Sequence, residues 1–99
     1  MKKIFISQPM KGKTDTEIAE ERKNAVMILK NYFDENIEVI DSVITDASKD
    51  ARPLWYLGKS LELMSNADVA VFTLGWEKYR GCRIEHTCAV EYGIRIVEL

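Results

Sequence analysis

"KIFISQPMKGKTDTEIAEERKNAVMILKNYFDENIEVID", residues 3–41, decides the fold. Its two ends, "KIFIS" (3–7) and "IEVID" (37–41), are short apolar runs rich in β-branched and aromatic residues, as strands are. Between them Ile18, Ala25, Ile28, Leu29, Tyr32 and Phe33 recur at helical spacing. Thr14 followed three residues later by Glu17 forms a capping-box signature, which predicts that this helix starts just after Gly12 and Lys13. Strand, helix, strand in that order is a βαβ unit, and such units place their strands parallel through right-handed crossovers.

The same alternation continues outward. "DVAVF" (68–72) and "IRIVEL" (94–99) suit strands, while "LWYLGKSLELMSN" (54–66) carries Leu54, Leu57, Leu61 and Met64 on one helical face. A third helix is expected from about Cys82 to Tyr92, stopped by Gly93. The whole chain, residues 1–99, then reads as one α/β domain: a three-layer, flavodoxin-like fold with a parallel sheet of about four strands in the order 2-1-3-4. "SVITDASKDARP" (42–53) is a long polar connection with room for a short extra turn.

Composition narrows the function classes. The chain has 99 residues, 46% hydrophobic and 30% charged, an ordinary globular mixture with room for one core. Its net charge of -2 and pI near 5.4 supply no global basic field for a nucleic-acid polymer or an anionic membrane. The N-terminal "MKKIFISQPM" is broken by Gln8 and Pro9 far short of a signal or membrane-spanning core, and reads as the first strand of a cytoplasmic protein. Cys82 and Cys88 fit neither a CxxC redox pair nor a zinc knuckle, so two buried reduced thiols are expected.

In open parallel sheets ligands bind beyond the carboxyl ends of the strands, at the point where crossovers leave on opposite faces. For the order 2-1-3-4 that crevice lies between the first and third strands. It is lined by "SQPMKGKT" (7–14) on one side and "TLGWEKYRGC" (73–82) on the other. The first loop runs into a helix N-terminus, where free N–H groups favour an anion, with Lys11 or Lys13 able to add charge and Gly12 allowing close approach. It reads equally as a turn with solvent-facing lysines. Its "GKT" ending touches the Walker A pattern, but Ser7 stands where that motif requires glycine.

The second loop leads to Glu85. A carboxylate in the first turn of a helix is held ionised by the dipole, and an ionised carboxylate can attack an anomeric carbon. Stabilising its own helix is the plainer role for the same residue. His86 faces elsewhere and is expected to pack rather than react. Trp76 and Tyr79 can stack on a base or lid the core, either ring of Trp55 and Tyr56 can close over a ligand, and Asp68 is expected to bond nearby backbone.

"IFISQPMKG" (4–12), "LELMSNADVAVF" (61–72) and "GCRIEHTCAVEYGIRIV" (81–97), in that order and spacing, resemble the nucleoside 2-deoxyribosyltransferase-like superfamily, which includes deoxynucleoside 5'-monophosphate N-glycosidases. The resemblance covers nearly the whole chain. It implies a flavodoxin-like domain, a glutamate nucleophile on C1' of the sugar falling on Glu85, and a phosphate- and sugar-contacting loop falling on Gln8, Pro9, Met10, Lys11 and Gly12. Gly81 matches a glycine whose backbone faces the 5' group. Two positions depart from the catalytic members: an aromatic hydroxyl on the first strand is here Phe5, and an aspartate in the second helix is here Ser60, which is carried as a substrate contact.

The expected activity is therefore hydrolysis or transfer at the N-glycosidic bond of a (deoxy)nucleoside or its 5'-monophosphate. The expected partner is that small molecule, with no nucleic-acid polymer and no membrane. No metal or organic cofactor is implied, and a homo-oligomer, a dimer first of all, is expected. The Phe5 and Ser60 departures favour a second reading, a binding module of the same fold that holds a nucleotide or phosphorylated sugar without turning it over. A third is a protein-interaction domain in which the crevice is incidental.

Overall fold

Thr14 starts the longest helix as its sequence predicts. In the computed structural model, which describes residues 1–34, 36–42, 44 and 46–99, α1 spans Asp15–Tyr32. Thr14 Oγ1 accepts from the Glu17 backbone N–H at 3.1 Å, and the Glu17 carboxylate accepts from the Thr14 N–H at 3.0 Å. Both arms of the capping box are therefore made, satisfying two N–H groups that the helix itself cannot. Thr14→Ala is expected to destabilise the fold by about 1 kcal/mol. A urea titration checks this, and an unchanged midpoint would mean that the box is decorative.

The elements alternate from end to end: β1 (Lys2–Ser7), α1, β2 (Ile37–Val39), α2 (Pro53–Met64), β3 (Val69–Phe72), a 3-10 turn (Trp76–Lys78), α3 (Arg80–Glu91) and β4 (Arg95–Glu98). All neighbouring strands pair in parallel, in the order β2-β1-β3-β4. This is the expected flavodoxin-like topology. No helix among the described residues is long and apolar enough to cross a membrane.

Strand periodicity sorts the core into two layers. Ile4, Ile6, Val69 and Val71 face α1, meeting Leu29 and half-buried Val26 and Phe33. Phe5, Ala70 and Phe72 face the other way, against Met64 and Leu61 of α2 and Ala89 of α3. One helix thus covers one face and two cover the other. The predicted helical stripes are only partly buried: Ala25 and Leu29 go inside, whereas Ile28, Tyr32 and Leu54, in the first turn of α2, remain exposed.

Asp68 has the structural role expected of it, accepting from the Lys3 N–H at 2.8 Å through Oδ2. Gly93 closes α3 at φ +70°, a left-handed position suited to glycine after a helix. The connection before α2 holds a turn at Lys49 and Asp50, as its length allows; Val43 and Thr45 lie outside the described residues. Cys82 is buried and Cys88 half-buried, and both are free thiols.

Candidate functional site

Strand alternation that sends Phe5 towards α2 and α3 sends Ser7 the same way, at the carboxyl end of β1. In α3 the stripe facing the sheet is Cys82, Glu85 and Ala89, so helical spacing places a carboxylate on a buried face. The two meet: the Ser7 hydroxyl donates to Glu85 Oε1 at 2.7 Å, with both residues nearly sealed from solvent, at 2% and 7% exposure. A buried carboxylate without such a donor would be strongly disfavoured.

The electrostatics of Glu85 differ from the expectation. α3 begins at Arg80 rather than near Cys82, so Glu85 sits in the second turn, where the dipole has faded. Burial dominates and raises its pKa above the ordinary 4.5, and the Ser7 hydrogen bond opposes that rise. Ser7→Ala is accordingly expected to move the Glu85 titration still higher. Carbon-13 NMR of the side-chain carboxyl would read this, and a shift to lower pH would contradict it. The neighbouring Cys82 thiol is also pushed up by burial, with a Ser7 contact acting the other way, so it stays a neutral thiol at pH 7.

Glu85 opens onto a cavity of about 350 Å³ at the expected switch point. Six of the nine residues singled out from the sequence line it: Gln8, Pro9, Met10, Ser60, Gly81 and Glu85. Phe5, without a hydroxyl, is also part of the wall. Glu85 is the one carboxylate among the described lining residues. Gln8 is held by its Nε2, which donates to the Ile18 carbonyl at 2.7 Å. A carbonyl can only accept, so this bond fixes the amide orientation and makes Oε1 an acceptor, buried and without a donor.

Three singled-out residues lie elsewhere. Trp76 stacks on His86 at 4.0 Å with the planes 9° apart and leans on Phe72, facing away from the cavity. His86 in turn meets Glu98 at 3.1 Å, the packing role expected for it. Lys11 lines an adjoining hollow, described below, and Gly12 lines neither space. Gly12 instead turns the chain at φ +83°, beside a Lys13 N–H to Met10 carbonyl bond of 3.1 Å. Lys13 is engaged with Glu21 at 2.7 Å.

Tyr56 and Tyr79, considered as rings near the site, do line the cavity, whereas Trp55 packs edge-on against Tyr56. The sequence reading missed Ile6, Ser42, Ile44, Pro53 and Leu57, whereas Cys82 belongs to the loop expected there. Helical spacing carries a signal for two of them, because Pro53, Tyr56, Leu57 and Ser60 fall on one face of α2 and the resemblance puts Ser60 at the site.

Fold and site together define a small flavodoxin-like α/β domain with a cavity beyond the carboxyl end of β1, in which Glu85 is the one carboxylate among the described lining residues. Compared with protein-family models and with curated proteins, the chain matches none of them.

Proposed function

We propose that the protein cleaves the N-glycosidic bond of a (deoxy)nucleoside or its 5'-monophosphate, with Glu85 as the nucleophile. The observation that carries this reading is the Ser7-bonded Glu85, buried and facing a cavity in which it is the one carboxylate among the described lining residues. The resemblance to nucleoside 2-deoxyribosyltransferase-like proteins points to the same residue.

A Glu85 oxygen attacks C1', and the bond from C1' to the base nitrogen breaks with its electron pair leaving on the base, which takes a proton from solvent. Water then attacks C1' of the glycosyl ester, releasing the sugar and the Glu85 carboxylate and returning one proton to solvent. In a transfer reaction the nitrogen of a second base replaces that water. Ser7 holds the attacking carboxylate in place, and Phe5, Ile6, Met10 and Leu57 supply the apolar part of the wall around it. Because the nucleophile must be ionised and its pKa is raised, the rate climbs with pH along a limb lying above the ordinary carboxylate value.

A second reading, a non-catalytic nucleotide-binding module, is favoured by the walls that Phe5 and Ser60 contribute, which carry neither the phenol nor the second carboxylate that would assist a leaving base. Chromatographic detection of free base from a panel of nucleosides and nucleoside monophosphates separates the two. Base release that disappears in Glu85→Gln supports the enzyme. Nucleotide-induced thermal stabilisation without base release supports the binding module.

A further inference from the structure

A second hollow, of about 590 Å³, adjoins the Glu85 cavity and shares Tyr79 and Gly81 with it. Its remaining walls are Lys11, Lys78, Arg80 and Arg83, so every one of them is a cation. We infer that this hollow receives a diphosphate or longer phosphate chain, extending the substrate class of the neighbouring site to nucleotides with more than one phosphate. This rests on the glycosidic reading for where the sugar sits.

Charge alone does not make a site, but four other features support it. First, the chain is acidic overall, with a net charge of -2, so four cations around one hollow run against its own average. Second, among the described residues none of the four forms an ion pair, whereas Lys13 and Lys59 both do. Third, the hollow is braced: Tyr79 Oη donates to the Lys11 carbonyl at 3.3 Å, joining the two loops, and Arg83 Nη1 donates to the Glu77 carbonyl at 3.1 Å. Fourth, no side chain caps the start of α3, which leaves the first-turn N–H groups next to Gly81 free for an acceptor. A monophosphate at the shared Gly81 wall would meet only the edge of this charge, and a second phosphate brings the ligand among the arginines.

The test is a calorimetric titration of Glu85→Gln protein, which leaves the ligand intact, with the mono-, di- and triphosphates of the common nucleosides and with inorganic pyrophosphate. Diphosphates are expected to bind about tenfold to a hundredfold more tightly than monophosphates, the range that one added charged hydrogen-bonding group provides. That gain should vanish in Arg80→Ala/Arg83→Ala, both positions being exposed, while monophosphate affinity stays. Lys78→Ala is a second probe should the double variant melt early. Pyrophosphate binding that needs the arginines supports the hollow even if no base is ever released. Equal affinity for mono- and diphosphates, or a gain that survives loss of both arginines, overturns the inference and leaves the glycosidic reading standing. Tighter binding of a single-stranded oligonucleotide than of any nucleotide also overturns it, in favour of a polymer partner.

Discussion

Glu85→Gln is expected to abolish base release, by on the order of 10⁴- to 10⁶-fold, the scale on which losing a covalent nucleophile is felt. The substitution isolates chemistry from folding because glutamine keeps the shape and still offers an oxygen to the Ser7 hydroxyl at the 2.7 Å contact. The same variant carries a stability signature of known sign. Burial raises the Glu85 pKa, so the folded protein favours the protonated form more than the unfolded chain does. Stability from this group is complete below the unfolded-state pKa and is lost as pH rises through the raised folded-state value. Glutamine never ionises. The variant should therefore melt higher than the natural protein above that raised value and at much the same temperature in acid. Thermal melts at several pH values, run beside the base-release assay, check both halves. Activity retained in the variant would remove Glu85 from the chemistry, whereas an unchanged difference in melting temperature at all pH values would remove only the argument from burial.

The path from sequence to this site was uneven for physical reasons. Short-range signals are clear: the Thr14 and Glu17 capping pair, the short β-branched and aromatic apolar runs of β1 and β3, and the glycine that ends α3. They are enough for the alternation of strands and helices, which, with the flavodoxin-like order, places the crevice. The start of α3 was misplaced because Tyr79 makes no side-chain cap bond and the first turn, Arg80-Gly81-Cys82, contains none of the usual N-terminal residues. The later start would put Glu85 in the first turn beside the dipole; its place on the sheet-facing stripe with Cys82 and Ala89 buries it instead, and that burial raises its pKa. Trp76 belongs to the right loop, yet its ring is held by the stack on His86, and His86 by Glu98 on the last strand. Such a chain of contacts depends on sheet register and leaves no local mark. The wall supplied by Ser42 and Ile44 comes from a long connection whose course is set by tertiary contacts rather than by local pattern.

Phe72→Ala is expected to destabilise the domain by about 3–5 kcal/mol, the usual cost of removing a fully buried aromatic ring. Phe72 has no exposed surface and lies on the central β3, where it packs with Phe5, Met64, Ala70 and Ala89. Its ring also supports the stack beyond the strand, with His86 at 4.8 Å and Trp76 at 5.5 Å between centroids. Removing it opens a void whose walls belong to a paired parallel strand and to α3, elements that cannot collapse independently. Domains of this size have only about 5–15 kcal/mol of net stability, so the melting temperature should fall by roughly 15–30 °C. Leu74→Ala, two residues further along the chain but 85% exposed, is the matched control and should stay within about 0.5 kcal/mol of the natural protein. Urea denaturation of the pair distinguishes packing from chain position. Equal effects at the two sites would mean that the second core layer is loosely packed, and Glu85, held by the same helix as Ala89, would then lack the rigid support that a positioned nucleophile requires.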